Sequence, residues 1–235
     1  MGHIAVEKGQ SSTPQSCYMC GGRATSREHV PPKCFFPGKN ELPSSRDYRV
    51  RLITVPSCDR HNITKSGDDQ YLLMVIISHW QNNSVAYEHF SRNVLRAIAR
   101  RPALRQVYMR EYIPVVVDGR PSAKFTIDRE RFDRSVACIA SAIHFHHYHE
   151  HWSEDIHIES SALVALNGVN LAQRDAVLKA LDIVAAGHLG GQPWRGDNPE
   201  IFRYRIHREA LRSRLLVEMV FYDGCKVYAH SLGGM

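Results

Sequence analysis

The sequence lacks any apolar run long enough to cross a membrane. Its most apolar stretch, YLLMVIISHW at residues 71–80, falls well short of the roughly 18 uncharged apolar residues that a membrane-spanning helix needs. The first residues, MGHIAVEKGQSSTPQS, lack the apolar segment and small-residue cleavage site of a secretory signal. We therefore expect a globular, cytoplasmic protein with no membrane partner, and a polar, poorly ordered tail over residues 1–16.

The chain also lacks internal repeats, low-complexity segments and a strong excess of one charge. Thirty Lys and Arg residues against 24 Asp and Glu residues give a formal charge of +6, which favours an anionic partner such as nucleic acid without requiring one. With 235 residues, of which 43% are hydrophobic, the chain can form one large domain or a small domain followed by a larger one.

The first 70 residues are poor in apolar core residues but hold four of the six cysteines. CYMC places two residues between Cys17 and Cys20, and CDRH places two residues between Cys58 and His61. A gap of two residues lets both side chains of a pair reach one ion, and thiolates with an imidazole suit tetrahedral Zn²⁺. The spacing predicts one structural zinc site; the alternative is a set of unrelated cysteines with a surface histidine.

Beyond residue 66 the pattern changes to that of an α+β protein. The predicted elements are a buried helix with Ser66 or Asp68 as its N-cap, a helix over about 85–101, two strands around Asp118-Gly119, a helix from about residue 128, a helix over about 171–186 with Gly187 as its C-cap, and late strands that turn at Asp223-Gly224.

The ordered segments CYMC, REHVPPK and ITVPSCDRHNITKSGDD resemble the zinc-stapled HNH endonucleases, whose ββα-metal motif lies within a treble clef. The resemblance covers about residues 17–70. It implies an α+β fold in which a small zinc-bound HNH module is followed by a larger α+β accessory region over residues 71–235. It also implies hydrolysis of phosphodiester bonds, with double-stranded DNA as the expected partner.

The resemblance assigns roles to an acidic residue and a histidine that stand side by side. Glu28 is the implied ligand of a catalytic divalent ion, Mg²⁺ or Mn²⁺, and His29 is the implied general base. Asn62, directly after the second zinc pair, is the implied second ligand. The chemistry agrees, because imidazole titrates near neutral pH and hard oxygen ligands suit such ions. Pro31 and Pro32 should restrict the exit of the strand.

Basic residues near the motif are candidates for phosphate contact. Lys33 and Lys65 lie within the HNH segment, with Asp69 as a candidate to orient a ligand or water. Arg92, Arg96 and Arg100 recur every four residues of a predicted helix, a spacing that suits either a phosphate track or a solvated face. Arg203 and Arg205 could extend the track along a late strand. The run HFHHYHEH is interpreted as a solvated helix end rather than a second metal site.

One departure from the HNH pattern leaves other functions open. The second strand, RLITVPSC, offers Thr54 where the family carries an asparagine that orients the base, so Thr54 or a backbone carbonyl would have to take that role. The alternatives are a non-catalytic, zinc-stabilised nucleic-acid-binding module and a protein that docks a protein partner or a second copy of itself. The resemblance to the HNH family suggests a role in bacterial defence against foreign DNA or as a toxin-like effector.

Overall fold

The computed structural model describes residues 15–62, 65–100, 102, 105–106, 113–117, 120–124, 126–163, 171–209 and 214–231. The helices are α1 (Asp59–Asn62), α2 (Ser66–Ile77), α3 (Ser84–His89), α4 (Leu95–Arg100), α5 (Arg129–Tyr148) and α6 (Leu171–Leu189), with a 3-10 turn at Lys33–Phe35 and a π-helical segment at Phe90–Val94 between α3 and α4. The strands are β1 (Ser26–Val30), β2 (Ile53–Ser57), β3 (Ile113–Val117), β4 (Arg120–Lys124), β5 (His157–Ser160), β6 (Arg195–Asn198), β7 (Phe202–Glu209), β8 (Arg214–Phe221) and β9 (Cys225–His230).

An antiparallel hairpin followed by helices forms the amino-terminal part. β1 pairs with β2, with Glu28 opposite Val55 and His29 opposite Thr54. Pro31 and Pro32 follow β1 directly and cannot donate to a ladder, which accounts for the end of the strand. The chain returns through β2 into α1 and α2, so strand, strand and helix meet as the sequence predicts.

A five-stranded antiparallel sheet, in the order β5-β9-β8-β7-β6, forms the larger part of the fold. Successive side chains of β7 point to opposite faces of the sheet, and both faces of the sheet are covered. Phe202, Tyr204 and Ile206 are buried in the main core. On the other side, Ala185 and Leu189 of α6 pack with buried residues of β8 and β9.

One buried core joins the two regions that the sequence divides at residue 70. Tyr18 and Val55 from the amino-terminal part belong to the same cluster as Ile76 of α2, Ile143 of α5 and Val217 of β8. Helix α5 contacts α2, β1 and β2 directly. Residues 17–70 therefore pack against the larger region along a continuous apolar interface.

Several predicted elements are confirmed. The mixed α+β class is confirmed, and the apolar run of α2 is buried from Tyr71 to Ile77. Asp128 caps α5 by accepting a hydrogen bond from the Arg131 amide at 3.0 Å, and β8 and β9 are joined by the turn that contains Asp223 and Gly224. The predicted turn at 118–119 lies outside the described residues, but β3 and β4 pair on either side of it.

Three predicted boundaries are wrong. α2 begins at Ser66 with Lys65 in the capping position and no side-chain cap. α6 continues through Gly187, and the chain leaves the helix at Gly190, where a Cβ would lie 2.5 Å from the Ala186 carbonyl oxygen. The predicted tail also ends earlier: Ser16 bridges to Arg23, whereas residues 1–14 lie outside the described residues.

Within the described parts of the chain, none of the helices combines the length and the apolar composition needed to cross a bilayer.

His89 makes the stability of the fold depend on pH. It is 3% exposed, and its Nδ1 lies 3.3 Å from the Tyr222 hydroxyl. Burial lowers the pKa of His89 to about 4, with smaller opposing effects of Glu41, which raises it, and Arg49, which lowers it. Because the unfolded value is about 6.5, the unfolded chain binds the proton first as the pH falls. The contribution is fully present above pH 6.5 and is lost toward pH 4.

We therefore expect the free energy of unfolding to fall by about 2 kcal/mol between neutral pH and about pH 5 through His89 alone. Urea unfolding of the wild type and of His89→Gln, at about pH 7.5 and about pH 5, measures it. Protonation of other groups weakens both proteins alike, so the difference between them isolates His89. An equal fall in the two proteins would contradict the prediction.

Candidate functional site

Four side chains from two turns converge beside the hairpin. The ligand atoms of Cys17, Cys20, Cys58 and His61 all lie within 4.8 Å of one another. The first pair lies on a tight knuckle in which the Cys17 amide donates to the Gly22 carbonyl at 2.7 Å. The second pair lies at the start of α1, where the His61 amide donates to the Cys58 carbonyl at 3.0 Å. The predicted grouping of these four residues is confirmed.

The spacing within this cluster fits a tetrahedral metal ion such as zinc. Ligands about 2.3 Å from a tetrahedral zinc stand about 3.8 Å apart. The Cys20 and Cys58 sulfurs are 3.9 Å apart, and His61 Nδ1 lies 3.6 Å from the Cys17 sulfur and 3.2 Å from the Cys58 sulfur. Burial raises the pKa of Cys17, but hydrogen bonds from the backbone of Met19, Cys58 and Cys20 and from the His61 ring lower it to about 6.

His151, in the histidine-rich run, supports the knuckle. Its Nε2 lies 2.9 Å from the Cys17 carbonyl oxygen, which can only accept, so the ring donates. The interpretation of the run as a solvated helix end is wrong in part, because His144 is buried and its Nδ1 lies 3.0 Å from the Glu150 carbonyl oxygen. Sequence reasoning missed His151, since 134 residues separate it from Cys17.

Glu28 and His29 lie on opposite sides of β1, as consecutive strand residues must. Glu28 is 6% exposed and points toward α2. Its Oε2 accepts a hydrogen bond from the Tyr18 hydroxyl at 2.9 Å, and its Oε1 is bonded to the Lys65 ammonium. The sequence predicts that Glu28 and His29 act together in one catalytic site. In the structure their side chains lie on opposite sides of β1 and have different neighbours.

Lys65 is buried between two carboxylates. Its Nζ contacts Glu28 and lies 3.9 Å from Asp69 Oδ1. Burial alone lowers the pKa of Lys65, but the charge of Glu28, followed by those of Cys138 and Asp69, raises it above the ordinary value, so the amine stays charged. In this arrangement the Lys65 ammonium is enclosed and already paired, and its predicted contact with phosphate stays a prediction.

Asp69 completes this buried group. Burial raises its pKa to about 6, while Lys65 lowers it and Glu28 and Asp68 raise it further. Its Oδ1 is buried and has no hydrogen-bond partner among the described residues. A buried carboxylate oxygen without a donor carries a desolvation cost that a nearby cation would offset.

Asn62 lies on the same side of the hairpin as Glu28. Its amide nitrogen donates to the Ser26 hydroxyl at 2.8 Å, and Ser26 and Glu28 share one face of β1 because they are two residues apart. The predicted pair of oxygen ligands, Glu28 and Asn62, therefore lies on one face of the strand. In this conformation Tyr18 and Lys65 engage Glu28.

His29 is half-buried on the other face. Burial lowers its pKa, the charge of Lys33 lowers it further, and the charge of Glu28 raises it. Thr54 is its cross-strand neighbour, but the Thr54 hydroxyl accepts a hydrogen bond from Arg27 Nε at 2.9 Å. Among the described residues, no hydrogen bond fixes the His29 ring, so the predicted orienting role of Thr54 stays a prediction.

The predicted phosphate contacts have different surroundings. Lys33 is exposed at the start of the 3-10 turn, two residues after Pro31. Arg92, Arg96 and Arg100 are exposed, but the π-helical segment Phe90–Val94 interrupts their regular spacing, and Arg96 contacts the Arg92 carbonyl. Arg203 and Arg205 form ion pairs with Asp223 and Glu218, and the extension of the track to these residues stays a prediction.

Comparison of the chain with protein-family models, with curated proteins and with solved structures gives no match in any of the three. A function must therefore be inferred from the residues and contacts of this chain.

Proposed function

We propose that the chain is an HNH-type endonuclease that hydrolyses phosphodiester bonds of nucleic acid, with DNA as the substrate. The observation that carries the proposal is His29. It lies near the end of the hairpin strand, and burial with the Lys33 charge lowers its pKa below the ordinary value of about 6.5, so its ring is neutral near pH 7. A neutral imidazole can take the proton from a water molecule that attacks a phosphodiester.

The cluster of Cys17, Cys20, Cys58 and His61 would hold a structural zinc. It joins the knuckle, which precedes β1, to α1, which follows β2, so the ion closes the hairpin at its open side. Zinc bound in this way supplies folding free energy directly. Its role in the reaction is to keep β1, and with it His29, in place.

A divalent ion, as implied by the HNH resemblance, would be held by Glu28 and Asn62, with Asp69 beside them. Carboxylate and amide oxygens are suitable hard ligands. Two observations support the fit: Asp69 Oδ1 is buried without a hydrogen-bond partner among the described residues, and the Lys65 ammonium already places a positive charge between Glu28 and Asp69. Such an ion, when bound, polarises the phosphate and stabilises charge on the leaving oxygen.

The closed pairing of Glu28 favours a second candidate, a non-catalytic nucleic-acid-binding module. Both carboxylate oxygens are engaged, one by Tyr18 and one by Lys65. If this pairing persists in the presence of Mg²⁺ or Mn²⁺, Glu28 is a structural residue and the chain binds nucleic acid without cleaving it. Nicking of supercoiled plasmid DNA by the wild type, with loss of nicking in His29→Ala, distinguishes the two candidates.

Replacement of Lys65 by methionine should increase the affinity for Mn²⁺ by at least about tenfold. An ion at Glu28 must displace or tolerate the Lys65 ammonium, and two unit charges about 4 Å apart interact by about 4 kcal/mol at an effective dielectric constant of about 20. Titration of the free Mn²⁺ signal by electron paramagnetic resonance measures the affinity. The experiment uses zinc-loaded protein, so that the cysteine cluster is already filled.

Lys33→Met is the matched control, because Lys33 is an exposed cation outside the buried group. It should change Mn²⁺ affinity little. Lys65→Gln, which keeps a polar side chain beside Glu28, guards against misfolding of the methionine variant and should show the same increase. Unchanged Mn²⁺ affinity in both folded Lys65 variants would mean that no ion binds at Glu28, and would favour the binding module.

A further inference from the structure

A basic face extends from the hairpin to the edge of the large sheet. We define the basic face by Arg27 and His29 of β1, His146 of α5 and Arg195 of β6. Arg27 and His29 are two residues apart in β1 and therefore share one side of the strand. His146 lies on α5, which contacts β1 directly. Burial, followed by the positive charges of His149, Arg195 and Arg27, lowers the pKa of His146.

The two arginines of the basic face are not neutralised by acidic partners. Arg27 donates only to uncharged acceptors, namely the Thr54 hydroxyl and carbonyl and the Gln15 side chain. Arg195 is exposed. Among the described residues, neither arginine forms an ion pair, and Asp197, the acidic residue nearest to Arg195 in β6, is paired with Arg51 at 3.7 Å.

Three arginines of the large sheet behave differently. Arg203 pairs with Asp223, Arg205 with Glu218, and Arg208 with Glu150 at 2.7 Å. Arg195 of the same sheet and Arg27 of the hairpin lack such an acidic partner among the described residues. Two arginines without acidic partners lie beside the candidate general base. This favours a polyanion such as nucleic acid as the binding partner over an acidic protein surface.

The scaffold holds the basic face in a fixed arrangement. Arg195 pairs with Tyr204 in the β6-β7 ladder, and the Tyr204 hydroxyl lies 3.0 Å from His147 Nε2 of α5. The end of α5 is tied in turn to the zinc knuckle through His151 and the Cys17 carbonyl. These contacts connect the edge of the sheet to the hairpin that carries His29.

We propose that the basic face binds the phosphodiester backbone of duplex DNA and directs it to His29. The proposal rests on the proposed function and extends it, because it makes β6 of the accessory region part of the substrate site. Arginines that contact phosphates fix the position of the duplex without reading its sequence. Binding through Arg27 and Arg195 should therefore be independent of sequence and sensitive to salt.

Binding of a short fluorescent DNA duplex, measured by anisotropy from about 50 to about 200 mM salt, tests the proposal. The parent protein carries His29→Ala, so that the duplex stays intact. Each lost phosphate contact should reduce the slope of log K against log salt by about 0.9. We expect a reduction of about 1.8 in Arg27→Gln/Arg195→Gln and of about 0.9 in Arg195→Gln, since each removes one or two phosphate contacts. Among the described residues, the Arg195 side chain forms no hydrogen bond that the single substitution would break.

Two control variants make the result specific. Arg27→Lys/Arg195→Lys keeps both charges and should keep the slope, which separates lost charge from lost hydrogen bonds to Thr54. Arg92→Gln/Arg96→Gln/Arg100→Gln removes the rival helical stripe and should also leave the slope unchanged. If only the stripe variant reduces the slope, or if the slope is the same in the parent and the Arg27/Arg195 glutamine variants, the basic face is not the binding surface.

Failure of this inference can be told apart from failure of the proposed function. Plasmid cleavage by the wild type is measured in parallel. Cleavage by the wild type together with an unchanged slope in the glutamine variants overturns the basic face alone. Absence of cleavage together with absence of duplex binding overturns both.

Discussion

Replacement of Cys58 by serine should remove the bound zinc and unfold the knuckle and the hairpin. The wild type should carry about one equivalent of zinc, and the variant should carry less than about half an equivalent. The proposed metal would join residues that precede β1 to residues that follow β2, and the binding free energy of structural zinc in small peptides is about 10–16 kcal/mol. Even a partial loss is large against the roughly 5–15 kcal/mol by which domains are stable.

Elemental analysis of protein purified without chelator measures the zinc, and hydrogen exchange of the β1 and β2 amides reports the local unfolding. Cys34→Ser is the matched control. Its thiol lies outside the cluster, 3.6 Å from the Asp69 carbonyl, and a serine hydroxyl can make the same contact. A Cys58→Ser variant with a full equivalent of zinc, or with unchanged protection of the hairpin, would show that the cluster is not a structural metal site.

The grouping of Cys17, Cys20, Cys58 and His61 could be predicted because the geometry within each pair is local. Two residues between the members of each pair fix how far apart their side chains can lie, and a region with few apolar residues needs another source of stability. The same holds for α2, whose continuous apolar run is found buried from Tyr71 to Ile77. In each case the signal lies within a few consecutive residues.

The surroundings of Glu28 could not be predicted in this way. Its partner Lys65 is 37 residues away, and the contact depends on how α2 packs against β1. The contact of His151 with the Cys17 carbonyl likewise depends on tertiary packing. The arginine stripe shows a different limit, because the π-helical segment at Phe90–Val94 changes the number of residues per turn that the spacing argument assumes.

Replacement of His29 by alanine should lower the rate of phosphodiester cleavage by about 10²-fold or more. This is the usual scale for a lost general base. His29 is the candidate because its ring is half-buried, burial and the Lys33 charge lower its pKa, and no hydrogen bond among the described residues occupies it. DNA binding should survive, since the substitution leaves the cysteine cluster, Arg27 and Arg195 in place. A loss of rate with retained binding is therefore expected.

His157→Ala is the matched control for this substitution. His157 is an exposed histidine on β5, at the opposite edge of the sheet from β6. The His157→Ala variant loses the same type of side chain as His29→Ala and is purified in the same way. Any contaminating nuclease would therefore appear equally in both preparations. We expect it to cleave as fast as the wild type.

Single-turnover nicking of supercoiled plasmid DNA, with Mg²⁺ or Mn²⁺ and zinc-loaded protein, tests the central claim most directly. If His29 is the general base, the wild type and His157→Ala nick the plasmid at the same rate, and His29→Ala is slower by about 10²-fold or more while it still binds DNA. Equal rates for His29→Ala and the wild type would contradict the assignment of His29, and a wild type that binds DNA but never nicks it would contradict the endonuclease itself.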